Sequence, residues 1–592
     1  MIRIPYGKSN FKDLIGEGYF YQDRSMYIRR LEEETAGLIF YLRPRRFGKS
    51  LFVSMLRYYY GLEHKEKFDS IFGKLAVGKK PTAMANGYLV LTFEFSGIMT
   101  DTPKHTFEGF LSNVLDSVRN FLTEYKQFFT DEQRKDILSK DQPNRIIKQL
   151  FAYYKDNKVS IPIYVMIDEY DHFANELISF NFTHFKEIVT ENGYVRKFYE
   201  VLKTATWDGV IHRFFITGVS PITIDSMTSG FNIATNLSLD VNFHQMMGFE
   251  EKEVKGILQK IGTKKADLPN VLEDLQIWYD GYLFSEDAKI HVYNPDMVLY
   301  FAKDYQTYKK YPRTLLDNNI ASDYSKIRNI FRIQDREYEN LEALRILTET
   351  GEVSSELTTQ FSFVKTFGVD DLISLLFYMG FLTIKGRDLN NTIFQFPNFV
   401  IKRLYADYFI SMLQNKADLP IDNAPLNNAI MDLATGGNLQ PFMNQVTEIL
   451  KILSNRDAYH FNEMSLKAIF VSCLYQQKFY YVHSEYGGTT SRFLRDETEK
   501  GYADIFLEAI RGYDPNFQVA FELKYIKKKD KNEADKKIDD ADIQALLDKA
   551  EIQLTNYMIT KKFMDRKGLK GFVVICHGET LIWRPHKGFP II

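Results

Sequence analysis

The order of apolar and polar positions in the first part of the chain predicts strands that alternate with helices. Four largely apolar runs are typical of buried strands in a mostly parallel sheet, and they cover residues 38–42, 88–95, 161–167 and 211–217. Residues 51–60 instead have the apolar spacing of a helix. This alternation is the βαβ rhythm of an α/β domain, which we place at residues 1–242.

From residue 243 to residue 425 the pattern becomes mainly helical. Within this region, residues 370–378 predict a helix, and residues 381–385 and 392–396 predict two strands of a hairpin whose loop is rich in turn formers. A helix followed by a two-stranded hairpin is typical of a winged helix. Such a module binds DNA in many proteins and packs on the nucleotide domain as a lid in ATPases, and the sequence leaves both alternatives open.

Residues 426–592 return to mixed strands and helices, which predicts a second α/β domain. Two of its predicted strands cover residues 502–507 and 517–525. Because strand residues alternate between the two faces of a sheet, Glu522 and Lys524 project from the same side.

Length, composition and charge limit the class of protein. A chain of 592 residues exceeds what one core usually supports, and its 45% hydrophobic residues are enough for several cores. The 75 basic and 77 acidic residues nearly cancel, so a nucleic-acid surface would have to be a local patch. The two cysteines lie in apolar runs, which predicts buried thiols in a reducing compartment. With no signal peptide and no apolar run of membrane-spanning length, we expect a cytoplasmic protein without a membrane partner.

Gly48-Lys49-Ser50 lies between a predicted strand and a predicted helix, where phosphate-binding loops occur. The glycine lets backbone N–H groups close on phosphate oxygens, the lysine reaches the outer phosphates, and the serine hydroxyl can bind Mg²⁺. Arg43 replaces the usual opening glycine. The alternative interpretation is a basic loop that caps a helix.

Asp168 and Glu169 follow the apolar run that ends at residue 167. In many ATPases the aspartate in this position holds Mg²⁺ and the glutamate polarises the attacking water. Thr217 ends another predicted strand and is a weaker candidate for contact with the γ-phosphate. Arg45 and Arg46 could bring a guanidinium group to the phosphates. The alternative for the acidic pair is a solvated strand end.

The C-terminal region carries a second candidate chemistry. Asp504 and Glu522 lie on neighbouring predicted strands and can hold Mg²⁺, with the Leu523 carbonyl oxygen as a further ligand. Lys524 can orient or activate a water for attack on phosphorus. The alternative is a structural salt bridge between Lys524 and one of the two carboxylates.

Two predicted helices could complete this second site. Glu463 lies in the first turn of one helix, where it could join the metal ligands or simply favour the helix N-terminus. Gln553 and Tyr557 lie one turn apart on the other helix.

The pattern of Asp504, Glu522-x-Lys524 and Gln553-x-x-x-Tyr557 resembles the PD-(D/E)xK nuclease superfamily. An alanine precedes Asp504 where that superfamily has a proline, but the chemistry requires the carboxylate. The N-terminal part is similar to the divergent AAA-ATPase-like family of bacteria, and Arg43 fits that family's form of the loop. Four segments resemble the landmarks of that family: residues 43–51, 167–171, 215–220 and 278–282.

The resemblance implies three parts: a P-loop ATPase domain with a mostly parallel sheet (1–242), a helical lid and winged-helix-like region (243–425), and a restriction-endonuclease-like α/β domain (426–592). It implies ATP and Mg²⁺ as cofactors and nucleic acid as partner, with DNA favoured over RNA, and it leaves a homo-oligomer open. We expect an ATPase coupled to Mg²⁺-dependent cleavage of nucleic acid, in defence or mobile-element biology. The alternative is an ATP-controlled binding or assembly module whose nuclease-like domain is inactive.

Overall fold

The structure is a computed structural model of the chain. The residues that it describes are 2–34, 37–190, 192–222, 235–316, 346–347, 350–361, 367–406, 423–454, 463–486, 503–526, 540–559, 563, 566–577 and 580–587. Two compact units are present. The N-terminal unit combines Met1–Leu341 with Val353–Asn398, and the C-terminal unit combines Glu342–Glu352 with Phe399–Ile592. The predicted boundaries of the three parts, after residues 242 and 425, stay a prediction.

A five-stranded sheet forms the centre of the N-terminal unit. Its strands are β1 (Leu38–Leu42), β2 (Leu89–Glu94), β3 (Ile163–Asp168), β4 (Ile211–Gly218) and β5 (Thr235–Asn236). Their spatial order is β2-β3-β4-β1-β5, and each neighbouring pair runs parallel. The predicted α/β fold is therefore confirmed. Because β4 lies between β1 and β3, the carboxyl ends of these three strands meet at one edge of the sheet.

Helices connect and cover these strands. Up to β5 they are α1 (Phe11–Gly16), α2 (Met26–Glu33), α3 (Lys49–Tyr60), α4 (Phe68–Phe72), α5 (Ala76–Lys79), α6 (Pro103–Glu124), α7 (Asp131–Leu138), α8 (Pro143–Asp156), α9 (His172–Phe180), α10 (Phe182–Val189) and α11 (Tyr194–Trp207). Three short 3₁₀ helices cover Leu62–Lys67, Lys126–Phe128 and Val241–Met246. The predicted helix at residues 51–60 begins two residues earlier, at Lys49, because the loop before it turns directly into the helix.

The predicted helical region contains four described helices and a small sheet. They are α12 (Glu251–Lys260), α13 (Leu268–Tyr279), α14 (Pro295–Tyr308) and α15 (Val369–Tyr378), with β6 (Glu352–Ser355), β7 (Thr383–Asp388) and β8 (Asn391–Gln395) in the order β6-β8-β7. The strands β7 and β8 continue into the predicted loop, and only two residues join them. The loop residues thus pair with each other, although their composition is typical of turns.

The segment that follows α15 packs on the predicted phosphate loop. Gly380 has a φ of 84°, and its Cβ position lies 2.7 Å from the Pro44 side chain. The segment thus contacts the predicted phosphate loop at Pro44. The lid alternative and the DNA-binding alternative both stay predictions.

A second five-stranded sheet forms the centre of the C-terminal unit. Its strands are β9 (Tyr480–Tyr486), β10 (Ala503–Ala509), β11 (Gln518–Ile526), β12 (Leu569–His577) and β13 (Thr580–Pro585). They lie in the order β13-β12-β11-β10-β9, with β11 and β12 parallel and the other pairs antiparallel. The described helices of this unit are α16 (Asn423–Gly436), α17 (Gln440–Ser454), α18 (Glu463–Leu474) and α19 (Asp540–Met558).

The two faces of this second sheet are covered by different helices. Ala520 of β11 packs into the core beneath α19, and the next residue, Phe521, contacts Phe470 of α18. Both cysteines are buried as predicted, and burial raises the pKa of Cys473 and Cys576 to about 12. Within the described residues, no helix has both the length and the apolar character needed to cross a membrane.

Candidate functional site

The segment Gly48-Lys49-Ser50 connects β1 to α3. Gly48 has a φ of 93°, in the left-handed region that favours glycine. Lys49 is 6% exposed, and its ammonium donates hydrogen bonds to the carbonyl oxygens of Arg43 and Pro44 at 3.1 and 3.0 Å. The cationic side chain is therefore folded across the loop at the start of α3, where backbone N–H groups favour an anion.

Asp168 is the last residue of β3 and lies close to the loop. It is 6% exposed, and burial raises the pKa of its carboxyl group to about 6, although a hydrogen bond from Ser50 and the charge of Lys49 act in the opposite direction. The two predicted magnesium ligands of this site are thus in contact with each other. Glu94, which no sequence motif indicated, pairs with Asp168 in the sheet register and adds a like charge.

Glu169 adopts a φ of 50° immediately after β3. Its carboxylate accepts a hydrogen bond from Nδ1 of His172 at 2.9 Å, and the other ring nitrogen lies 3.6 Å from Glu176. These two acceptors raise the pKa of His172 to about 9, so the ring is cationic at neutral pH. The bond from His172 in turn lowers the pKa of Glu169. No sequence motif indicated His172, because Glu169 lies before the start of α9 and reaches the ring only through the left-handed turn.

The end of β4 is fastened to the segment after β3. Thr217 is fully buried, and its hydroxyl donates to the Tyr41 carbonyl oxygen at 2.7 Å. The Asp171 carboxylate accepts the backbone N–H of Ser220 at 2.7 Å, and Tyr170 donates to the Ser220 carbonyl oxygen at 2.6 Å. These bonds hold the end of β4 to β1 and to the segment after β3. The role of Thr217 at the γ-phosphate stays a prediction.

Arg43, at the position of the usual opening glycine, is a buried residue that ties the loop to the rest of the unit. It is 1% exposed and donates to the carbonyl oxygen of Ser238 at 2.8 Å. Its guanidinium lies 4.2 Å from the ring centroid of Tyr41 and 4.3 Å from that of Phe284. Burial lowers the pKa of Arg43. Through these contacts, the buried Arg43 side chain stabilises the position of the loop.

Arg45 and Arg46 line the same cavity as Lys49. Burial lowers the pKa of Lys49 and the hydrogen bond from His172 lowers that of Glu169, and the charge of Arg45 adds to both effects. Arg46 has a φ of 70° and forms an ion pair of 3.2 Å with Asp296 at the start of α14. The predicted arginines are thus at the cavity, and one of them links the loop to the helical region.

A cavity of about 440 Å³ opens next to the loop, within the size range of ligand sites. Its lining combines charged and polar side chains with apolar and aromatic ones. The charged lining residues include Arg45, Lys49 and Glu169, and the apolar ones include Phe20 and Phe249. A ligand with a phosphate group and a flat apolar group fits this composition.

The residues of the second predicted site meet where the start of β10 lies beside the middle of β11. Ile505 pairs with Phe521 in the antiparallel register, so one step further along the strands Asp504 lies opposite Glu522. Directly opposed side chains have Cβ atoms about 5 Å apart. The backbone N–H of Leu523 donates to Asp504 Oδ2 at 2.8 Å. The predicted neighbourhood of the two carboxylates is therefore present.

Lys524 completes this group of charges. Its ammonium lies 2.8 Å from Glu522 Oε1, and the Glu522 side chain is only 3% exposed. This is the contact that the salt-bridge alternative predicts, and the metal site stays a prediction.

The helix α19 covers the face of the sheet that carries these residues. Ala520 belongs to the core beneath α19, and strand alternation places Glu522 and Lys524 on that same face. Gln553 and Tyr557 lie on α19, and Tyr557 packs against the same core. Their position relative to the charged group and their role both stay predictions.

The predicted contribution of Glu463 cannot be compared with these contacts. The helix α18 begins at Glu463, but its side chain lies outside the described residues. Among the side chains that the structure describes, no three His, Cys, Asp or Glu residues form a group that could hold a metal ion. The candidate ligands in this part of the molecule are therefore the two carboxylates and the Leu523 carbonyl oxygen.

Comparison with known proteins assigns a different family to each end of the chain. Residues 5–228 match the family model described as predicted AAA-ATPase. Residues 461–584 match the family model of the PD-(D/E)XK nuclease superfamily. The first match contains the phosphate loop and the strands β1 to β4, and the second contains β9 to β12 and most of β13.

The chain is also similar to a protein of Azotobacter chroococcum mcd 1 described as an uncharacterized protein in the vnfD 5′ region. The two are 25% identical over 401 residues, and the match spans 64% of this chain and 64% of that protein. The sequence resemblance is thus confirmed at the level of family models: residues 5–228 are similar to the predicted AAA-ATPase family and residues 461–584 to the PD-(D/E)XK nuclease superfamily.

Proposed function

We propose that this protein hydrolyses ATP at the cavity beside α3 and uses that site to control Mg²⁺-dependent cleavage of nucleic acid by the C-terminal domain, with DNA as the favoured substrate. The observation that carries the first half is the contact of Ser50 with the buried Asp168, next to the buried ammonium of Lys49. A site for a nucleoside triphosphate with Mg²⁺ requires a hydroxyl, a carboxylate and a lysine close together.

The donor set of this site fits a magnesium ion. Ser50 and Asp168 would hold it, and when bound it would neutralise negative charge on the phosphate oxygens. Burial disfavours the charged form of the Asp168 carboxyl group and raises its pKa to about 6. A cation beside it would favour the charged carboxylate.

The remaining residues supply binding and proton transfer. Lys49 exchanges its bonds to two carbonyl oxygens for stronger, charge-assisted bonds to phosphate. Arg45 adds a second cation to the cavity lining. Glu169 accepts a proton from the water that attacks the γ-phosphorus. The apolar and aromatic side chains of the lining contact the base.

The second half rests on the pairing of Asp504 with Glu522 beside Lys524. The two carboxylates and the Leu523 carbonyl oxygen would hold Mg²⁺, which when bound would polarise the scissile phosphate. Lys524 orients the attacking water. Its short contact with Glu522 keeps the ammonium at the metal-binding side of the strand.

A second candidate function is an ATP-controlled module that binds nucleic acid or a protein without cleaving it. The observation that favours it is the same ion pair, because a lysine that neutralises Glu522 lowers the charge available to a cation. The near-neutral net charge of −2 points in the same direction.

Cleavage assays with single substitutions separate the two functions. Asp504→Ala and Lys524→Ala should each reduce Mg²⁺-dependent nicking of plasmid DNA by at least about 100-fold, because each removes a group that acts on the reacting phosphate. Both variants should keep wild-type ATP turnover. Asp542→Ala and Lys549→Ala, at exposed positions on α19, are matched controls and should cleave normally.

Linear duplex, single-stranded DNA and RNA belong in the same assay, with and without Mg²⁺ and ATP. Wild-type protein that binds nucleic acid but cleaves none of these substrates would favour the binding module. Full cleavage by Asp504→Ala would place the chemistry at other residues.

A further inference from the structure

His172 contacts the residue to which we assign water activation. It is the first residue of α9, and its backbone N–H closes a turn to the Glu169 carbonyl oxygen at 3.1 Å. The left-handed φ of Glu169 creates this turn, and such a conformation is costly for a residue with a side chain. The turn places the Glu169 carboxylate beside the imidazole and at the cavity wall.

The imidazole is held from two sides. Nδ1 lies 2.9 Å from Glu169 Oε2, and Nε2 lies 3.6 Å from Glu176 Oε1. Glu176 is itself held by the hydroxyl of Thr100, which donates to its other oxygen at 3.2 Å. Nδ1 donates to Glu169, and Nε2 faces Glu176 as an ion pair, so the ring cannot rotate without losing a contact. His172 therefore restricts the orientation of Glu169.

We propose that His172 is a positioning residue for ATP hydrolysis, whose imidazolium holds Glu169 Oε2 so that Oε1 faces the attacking water. This inference rests on the proposed ATPase function. In the step itself, the water oxygen forms a bond to the γ-phosphorus while the bond from that phosphorus to the β,γ-bridging oxygen breaks. The water proton goes to Glu169, and ADP leaves with the electron pair of the broken bond.

Positioning has a different effect from general structural support. A carboxylate that rotates out of line with the water slows the chemical step and leaves the phosphate contacts of Lys49 and Ser50 intact. Loss of His172 should therefore lower kcat and leave nucleotide affinity unchanged. A structural role would lower both or would lower only thermal stability.

The test compares ATP turnover and ATP affinity in the full-length chain. His172→Ala should lower kcat by about 10- to 100-fold, with a Kd for ATP within twofold of wild type. His172→Asn should recover part of the loss, because its amide can donate to Glu169 from nearly the position of Nδ1. His105→Ala is the matched control, since it removes an exposed histidine that contacts Asp101 at 2.9 Å in the first turn of α6.

A second background shows whether the two residues act together. In Glu169→Gln, the residual single-turnover rate should not change when His172→Ala is added. A kcat for His172→Ala within twofold of wild type, or an equal loss in both backgrounds, would overturn the positioning role alone. Wild-type protein that binds ATP and never hydrolyses it would overturn both the ATPase function and this role. If His172→Ala does not fold, His172→Leu, whose side chain fills similar space and cannot donate a hydrogen bond, takes its place, and wild-type affinity with unchanged kcat in that variant would contradict the proposal.

Discussion

Burial of the Asp168 carboxylate in the ATP site lowers the folding stability of the protein at neutral pH. The pKa of Asp168 is about 6 in the folded protein, because burial raises it more than the Ser50 hydrogen bond and the Lys49 charge lower it. An aspartate in an unfolded chain has a pKa of about 4. A carboxyl group with a raised pKa binds protons more readily in the folded state. The contribution of Asp168 to folding stability therefore falls as the pH rises from about 4 to about 6.

We predict that Asp168→Asn raises the stability of the nucleotide-free protein at pH 7 by about 1–3 kcal/mol, because a neutral amide of the same shape replaces a buried charge. The gain should vanish near pH 4, and the extra stabilisation by ATP with Mg²⁺ should be lost. Thermal unfolding at both pH values measures this, with the exposed Asp69→Asn as control. An equal effect of Asp168→Asn at pH 4 and pH 7 would contradict the electrostatic explanation.

Single residues of the site could be predicted where a short motif contains them. The flanking sequence was enough to predict Lys49, Ser50 and Asp168 as site residues, because the end of a strand and the start of a helix are local features. The burial of Arg43 was not predictable, since its partner Ser238 is 195 residues away. His172 was missed because its role depends on the left-handed turn at Glu169, which no residue type there indicates.

At the level of helices and strands, the 278–282 segment packs closely against residues 397–398. Gly281 has a φ of 98°, and its Cβ position lies 1.9 Å from the Pro397 carbonyl oxygen. The Asn398 amide donates to the Asp280 carbonyl oxygen at 3.0 Å in the same place. The glycine is therefore required both by its backbone conformation and by close contact with another chain segment.

Gly281→Ala should destabilise the N-terminal unit by about 3 kcal/mol or more, since a methyl group cannot fit and the backbone would have to move. Gly209→Ala is the matched control: it also has a positive φ, of 74°, but no atom lies within 4 Å of its Cβ position. It should cost only about 1 kcal/mol, from backbone strain. Urea unfolding of both variants tests this, and equal losses would show that contact with Pro397 is unimportant.

Strands and helices were predicted well because apolar periodicity is a local property. The run at 38–42 is β1 without any shift, and the hairpin and its preceding helix are present. The apolar pattern did not predict how these elements are arranged. The position of β4 between β1 and β3 depends on hydrogen bonds between segments that are distant in sequence, and the bond from the Ser220 N–H to the Asp171 carboxylate is another long-range contact.

For the protein as a whole, we propose that ATP bound at the site of Lys49 controls nucleic-acid cleavage at the site of Asp504. The family matches support the two activities separately, and the 64% coverage of the Azotobacter protein adds no activity to them. Control requires that cleavage respond to ATP and that the response depend on the phosphate loop. Neither requirement follows from the presence of two domains in one chain.

The most direct test measures Mg²⁺-dependent plasmid cleavage with and without ATP, for the wild type and for Lys49→Ala. Loss of a charge-assisted phosphate contact should weaken ATP binding by at least about 10-fold in Lys49→Ala, whereas Lys104→Ala, at an exposed lysine in the first turn of α6, should bind normally. We predict that ATP changes the cleavage rate of the wild type and of Lys104→Ala and leaves that of Lys49→Ala unchanged. A wild-type cleavage rate that is the same with and without ATP, or an ATP response that survives in Lys49→Ala, would contradict the account.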